Sequence, residues 1–378
     1  MNRPGFLLFA VIAILLYIGI NYYIGLKLFR WLEKVFPGIN GWLFTGVYSL
    51  IAITLILGFF PFSGNLKYIT SWIGSHWMGI FLYLLLFFVV VDLIFLILKL
   101  VRVNVTPTMH FFGGLTVILL TIGVVSYGLY NATQVKQVSY SIKLKENTTA
   151  KGMKIVLISD IHLGAIKSEE RLEDMVAKIN ALEPDLICVA GDIFNDDYNS
   201  IQDPEKAMAT LRKMKAKYGV YASLGNHDGG ETFGKMIDFL KRSNIHLLND
   251  DYTVIDNRLI LVGRLDASPI RGYDGLKRSS IKELYKKMDP ALPVVVMDHN
   301  PAHIGEYGKE VDLILSGHTH KGQVFPGNLI TNQIYEVDYG YYQRDANSPH
   351  VVVTSGVGTW GMPMKVGSNS EVVYIQLN

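Results

Sequence analysis

The sequence predicts an α/β domain preceded by an α-helical membrane domain of four spans, and three observations carry that prediction. Four apolar runs fill the first third of the chain, at about residues 6–26, 42–60, 79–98 and 111–130. Each is long enough to cross a hydrocarbon core of about 30 Å, which takes about 20 helical residues. Beyond them, short apolar runs with strand character alternate with helix-like stretches such as 168–182 and 204–218. Such alternation implies an α/β domain with ligands outside the strand ends. Finally, five of the strand-like runs stop at groups that bind metal ions.

Composition supports the membrane domain. Half of the 378 residues are hydrophobic and mean hydropathy is +0.26, too apolar for an ordinary soluble enzyme. The first run is not a signal peptide, being long and without a small-residue cleavage site. Trp31, Trp42, Trp72 and Trp77 fall near the expected span ends, where amphipathic rings anchor at an interface. Lys27, Arg30, Lys34, Lys99 and Arg102 outweigh Arg3 and Lys67, so the positive-inside rule places the N-terminus outside. Four spans then place the following domain outside the cytoplasm as well. Lys136, Lys143 and Lys145 work against that bias. Asp92 lies within the third run, where an acid faces protein or water: a hydrogen bond inside the bundle, or a polar cavity for a lipid headgroup. Residues 132–150 read as a short tether with a leading strand at 138–144, and 151–378 as the second domain. A net charge of +2 selects no partner, and nothing resembles a nucleic-acid-binding motif. The single cysteine, Cys188, excludes an internal disulfide and reads as a small core residue.

The strand endings carry the chemistry. KIVLISDIH ends at Asp160 and His162, ICVAGD at Asp192, YASLGNHD at Asn226, His227 and Asp228, VVVMDHNP at His299, and LILSGHTH at His318 and His320. Imidazole with carboxylate suits Mn, Zn, Fe, Ni or Co, whereas an all-oxygen Ca or Mg cage needs no histidines. Manganese is the favoured occupant. Asp160/His162 and His318/His320 are i, i+2 pairs that can converge on one cation in a strand-end turn. Asp160, His162, Asp192, Asn226, His299, His318 and His320 make seven ligands, too many for one tetrahedral site and suited to two. Two metals about 3.5–4 Å apart need a bridging ligand, and the carboxylate of Asp192 is the natural one.

The ordered set D-x-H, G-D, G-N-H-D, H and G-H-T-H resembles the calcineurin-like metallophosphoesterase superfamily. The tail SGVGTWGMPMKVGSNSEVVYIQL, with GHTHKGQVFPG, is similar to its membrane-associated bacterial branch of YkuE-like phosphodiesterases. The likeness runs from about Lys151 to Asn378. It implies a two-sheet αββα sandwich in which Asp160, His162, Asp192 and His320 hold one divalent ion and Asp192, Asn226, His299 and His318 the other. It implies further that His227 sits next to the scissile oxygen, as general acid or as a charged hydrogen-bond donor to phosphate, with Asp228 orienting it, while a water activated between the cations attacks phosphorus. Lys321 departs from the glycine usual after GHTH, which changes the substrate mouth.

The metals recognise a phosphoryl group and not its substituents, so the substrate class rests on the membrane domain. A four-helix anchor exceeds what tethering needs, and a lipid-linked phosphate ester is the expected substrate, with the bilayer as partner. Two alternatives stay open: a nucleotide-diphospholipid pyrophosphatase on the cytoplasmic face, and a non-catalytic sensor or scaffold with a phosphoesterase-like domain. His303 reads as a residue at the surface or behind the ligands, and Asp196–Asp197 and Asp250–Asp251 as solvated loop charges. Trp360, Met362 and Met364 read either as core, or as a wall for an acyl chain or a face resting on lipid.

Overall fold

The computed structural model describes residues 3–378 apart from 61, 63, 145–147, 165 and 167; Lys145 therefore lies outside the described residues. The chain divides into two compact units, Met1–Tyr127 and Gly128–Asn378.

The first unit is helical: α1 (Arg3–Val35), α2 (Gly41–Leu57), α3 (Gly64–Leu100) and most of α4 (Pro107–Thr133). Among the described residues three helices are long and apolar enough to cross a membrane, not the four expected. The exception is α2. It starts where the Asn40 side chain accepts hydrogen bonds from the Trp42 and Leu43 amides and ends at Gly58, leaving the apolar residues 58–60 in a turn. Its 17 residues rise about 25 Å at 1.5 Å each, short of a core of about 30 Å. By contrast α3 begins well before the apolar run at 79 and extends over 37 residues.

Small residues let these helices approach: a Cβ on Gly74 would lie 2.8 Å from the Thr54 carbonyl oxygen of α2. Asp92 takes the bundle role. Its carboxylate accepts from Tyr23 Oη at 2.6 Å and pairs with Lys27 Nζ at 2.5 Å. Of the four tryptophans expected at interfaces, two are tied inside the bundle: Trp77 donates to Tyr17 Oη and Trp31 to the Phe111 carbonyl, each at 3.0 Å.

The second unit holds two six-stranded sheets. Its strands are β1 (Val135–Ile142), β2 (Lys154–Ile158), β3 (Leu186–Ala190), β4 (Val220–Ser223), β5 (Ile245–Leu247), β6 (Asp251–Ile255), β7 (Leu259–Gly263), β8 (Val294–Met297), β9 (Leu313–Ser316), β10 (Gly340–Tyr342), β11 (His350–Val353) and β12 (Ser370–Leu377). The orders are β1-β12-β2-β3-β4-β5 and β10-β11-β9-β8-β7-β6. In each, a run of four neighbouring strands is parallel, β2 to β5 in one and β11-β9-β8-β7 in the other.

Strand residues alternate between two buried faces, which is why these runs read as continuously apolar. Ile155, Leu157, Cys188, Leu261, Met297 and Leu315 fill the space between the sheets. Val156, Ile158, Ile187 and Val189 turn outward under α5 (Leu172–Ala181), α6 (Pro204–Leu211) and α7 (Phe233–Arg242), while Ile260, Val262, Val296 and Ile314 do so under α8 (Ile281–Tyr285). The layering is αββα. Cys188 is buried between the sheets. Asp250 is a correction: its side chain, 7% exposed, stands 3.3 Å from Nε of the fully buried Arg264 and is not a solvated loop charge.

Candidate metal centre

Five parallel strands deliver ligands at nearly one offset. Asp160, Asp192, His299 and His318 each stand two residues past the ends of β2, β3, β8 and β9, and Asn226 three past β4. The turns that gather them use left-handed backbone at Asp160, His162, Asp192, His318 and His320, with φ between 49° and 71°. Non-glycine residues pay about 1–3 kcal/mol each for that conformation, and such strain persists where surrounding structure over-determines it. Left-handed turns replace the extended geometry of the two i, i+2 pairs and bring each pair's side chains together.

Two clusters of donor atoms result: Asp160, His162 and His320; and Asp192, His299 and His318. In the first, His162 Nε2 and His320 Nε2 stand 3.1 Å apart, and lie 3.8 and 3.3 Å from Asp160 Oδ1. In the second, His318 Nδ1 is 3.3 Å from His299 Nε2 and 2.8 Å from Asn226 Oδ1. Donors at about 2.1 Å from one cation sit about 3.0–3.4 Å apart; the 3.1 and 3.3 Å spacings fit shared ions, while the 3.8 Å from His162 to Asp160 is wider. Asp192 reaches into both clusters, its Oδ2 lying 3.1 Å from His299 Nε2 and 3.8 Å from His162 Nε2. His299 Nδ1 donates to the Ala190 carbonyl at 2.8 Å, which leaves its Nε2 free to ligate.

The electrostatics agree. Burial pushes His162 down to about 3 and His318 to about 4, and drives His320 well below the ordinary histidine value. These rings are therefore neutral at pH 7, the form that binds metal. Burial also opposes charge on His299 and Asp192, but their mutual attraction overrides it, raising His299 and lowering Asp192. A metal ion held there would take the place of the His299 proton, since only the neutral ring ligates.

Glycine is required beside the carboxylates. A Cβ on Gly225 would run into the Asp192 carboxylate, and Gly356, at φ 75°, would press one against Asp160, 2.6 Å from its Cβ.

His227 lies at the rim with its ring 5.8 Å from Trp360. Its Nδ1 is 2.9 Å from Asp196 Oδ1. Burial lowers its affinity for a proton, but the Asp196 hydrogen bond and the Asp192 charge outweigh that and raise its pKa. The resemblance implies that Asp228 orients it, but among the described residues no hydrogen bond joins the two side chains. The Asp228 oxygens accept from the Phe194 and Gly225 amides at 2.8 Å each, fixing the turn instead. Asp196, expected as a solvated charge, takes the orienting position.

Three further residues escaped sequence reasoning. Lys365 is fully buried and donates to the Ser355, Gly356 and Asn369 carbonyls at 2.7, 2.8 and 2.8 Å. Glu371, also buried, accepts from Thr354 Oγ1 and the Ser355 amide. Tyr335 places its ring 6.1 Å from His318. Lys321 adopts φ 51° where glycine is usual, and its Nζ lies 4.2 Å from the Tyr339 ring centre. Met364 is core, whereas Trp360 is half exposed. His303 stands 3.3 Å from Glu306 at the surface.

Residues 153–322 match the profile of the calcineurin-like phosphoesterase family. An uncharacterized metallophosphoesterase of Aquifex aeolicus is 32% identical over 241 residues, covering 63% of this chain and 90% of that one. A transmembrane protein with metallophosphoesterase domain from Danio rerio is 30% identical, covering 69% of this chain and 61% of its own. The uncharacterized metallophosphoesterase YkuE of Bacillus subtilis is 29% identical, covering 60% and 79%. The chain spans 60% of the length of a Helicobacter pylori relative that it matches at 28% identity. The αββα unit with its paired His/Asp clusters is that of a metal-dependent phosphoric ester hydrolase. This chain belongs to the calcineurin-like metallophosphoesterase family.

Proposed function

We propose that this chain is an integral membrane phosphodiesterase with a binuclear metal centre, acting on a lipid-linked phosphate ester. The observation that carries the reading is the Asp192 carboxylate, which stands within 3.8 Å of a histidine from each cluster. Asp160, His162 and His320 would hold one ion and Asn226, His299 and His318 the other, with the Asp192 carboxylate available to both. Bound there, two divalent ions, with Mn favoured, supply Lewis-acid charge to a phosphoryl group and acidify water.

The chain's own residues do the rest. His227, kept protonated by Asp196, donates a proton to the departing alkoxide. Asp228 fixes the turn that carries His227 and Asn226. Trp360 walls the side on which the leaving group departs.

The catalytic unit is extracytoplasmic in this reading. Lys27 meets Asp92 late in both α1 and α3, so those helices run parallel, while Tyr48 and Tyr17 pair α2 antiparallel to α1. Lys34, at the end of α1, then shares one interface with Lys99 and Arg102 at the end of α3, and the positive-inside rule makes that side cytoplasmic.

The test is turnover of bis(p-nitrophenyl) phosphate by the detergent-purified chain, stripped of metal and reloaded with Mn, Zn, Fe, Ni or Mg. Metal-dependent nitrophenol release that disappears in Asp192→Ala supports the reading. Two bound ions with no release under any metal would sink it.

A further inference from the structure

We propose that the surface formed by Phe325, α9 (Gly327–Ile334) and Trp360 seats the catalytic unit on the bilayer and admits a lipid-borne phosphoester to the metal centre; only the admission half rests on the phosphodiesterase reading. Leu329, Ile330 and Ile334 of α9 are 56%, 60% and 68% exposed, with Phe325 at 44% and Trp360 at 52%. Residues 325–334 contain no charged side chain. An amphipathic surface helix normally turns its apolar side inward, yet α9 buries none of its residues and ties itself to the unit through Thr331, whose Oγ1 donates to Asp338 Oδ2 at 2.7 Å. Large apolar side chains left exposed on one short uncharged helix mark a membrane or partner contact.

Continuity with α4 selects the membrane. The end of α4 belongs to the catalytic unit, and a Cβ on its Gly128 would lie 2.8 Å from Val366 Cγ2. The Lys365 amide donates to the Gly128 carbonyl at 3.0 Å, and the Val366 carbonyl accepts from the Phe325 amide at 2.8 Å. One segment, 364–366, thus joins the point where a membrane-length helix enters the unit to the first residue of the apolar face. A helix lying in the interface plane with its apolar side in the acyl boundary matches what α9 presents.

The same surface borders the chemistry. Tyr335, next after α9, faces His318, and Trp360 faces His227. Gln323 holds the two parts together, accepting from the Trp360 amide and donating to the Trp360 and Met362 carbonyls at 2.8–3.0 Å. A phosphoester whose acyl chains stay in the bilayer along α9 meets the metal ligands at the helix's end.

The test uses the full chain in nanodiscs of phosphatidylethanolamine and phosphatidylglycerol, with an environment-sensitive fluorophore on Ile330→Cys or on Lys286→Cys just past α8. Cys188 is buried and does not compete. Spin-labelled lipid should quench the probe at 330 several-fold more than at 286; equal quenching overturns the seat. In a second arm, Leu329→Glu/Ile330→Glu should lose several-fold turnover of phosphatidyl-p-nitrophenol in the same discs and keep wild-type turnover of bis(p-nitrophenyl) phosphate. Unchanged lipid turnover overturns the admission half. A wild-type chain that cleaves the soluble diester but not the lipid overturns it too, while one that cleaves neither counts against the phosphodiesterase reading and leaves the quenching result standing.

Discussion

Replacing Lys365 by methionine keeps the aliphatic stem and deletes a buried ammonium, and the structure sets the size of the effect. Three carbonyls lose their donor, and the buried Glu371 loses a favourable charge interaction. Removing one partner from a buried charge arrangement costs about 3–5 kcal/mol. At about 2–4 °C per kcal/mol for a domain of this size, the thermal midpoint falls by roughly 6–20 °C. The loss has a direction as well as a size. The clamped turn backs Asp160: Gly356 packs on its side chain, the Val357 amide donates to the Ser159 carbonyl at 3.0 Å, and the Gly358 amide to the Asp160 carbonyl at 2.8 Å. Support behind a ligand is worth about 10–100-fold in metal affinity, so the Asp160 cluster should weaken by that factor and the Asp192 cluster should not. Burial pulls Lys365 down to about 7 against the pull of Glu371 and Asp160. Between that value and the ordinary lysine pKa of about 10.4 the unfolded chain binds more protons, so chelated protein gains stability as pH rises through the window. Lys365→Met should flatten that rise. Thermal melts across pH 6–10 and Mn titration followed by electron paramagnetic resonance read both effects. A wild-type midpoint with two ions bound at wild-type affinity would refute the clamp.

Asp192→Ala should abolish metal-dependent turnover and reduce bound metal from two ions to at most one, read by elemental analysis alongside the diester assay. His227→Gln should retain both ions and lose about 10²–10⁴-fold in turnover, as expected for a general acid; an active His227→Gln protein would reassign the acid. Asp196→Asn should lower the pH at which activity declines on the alkaline side, because the carboxylate that keeps His227 protonated loses its charge, and the pH profile of kcat/KM checks this. Gly225→Ala has no left-handed backbone to strain, but its Cβ would run into both Asp192 Oδ1 and the Asp192 amide nitrogen, so it should cost about 3 kcal/mol or more through overpacking and displace Asp192. Melts and metal titration on the one variant separate those two effects.

The catalytic unit was legible to the degree that strand ends announce themselves. Doubly buried strands make uninterrupted apolar runs, and a carboxylate or imidazole two residues past such a run has no apolar reason to be there. That logic reaches Asp160, Asp192, His299 and His318, and the i, i+2 spacing adds His162 and His320. It does not reach Asp196. Two adjacent loop acids look alike in sequence, and only the left-handed turn at Asp196 (φ 65°) separates the one that meets His227 from Asp197. Helix α2 was misjudged as a fourth span because apolarity continues past Gly58 while the helix does not. Lys365 was invisible for a topological reason. The last strand, β12, pairs with both β1 and β2, so the loop preceding it is brought beside the end of α4 and the first metal ligand at once. Asn131 on α4 donates to the Lys365 and Ser368 carbonyls at 3.1 and 2.8 Å, and Lys365 in turn grips the turn behind Asp160. Asp192 hangs from β3, deep in the sheet and free of this chain of contacts. Loosening the end of α4, as in Asn131→Ala, should therefore weaken the ion at Asp160 and spare the other. Equal weakening of both ions would mean that the loop supports the whole fold and not one ligand.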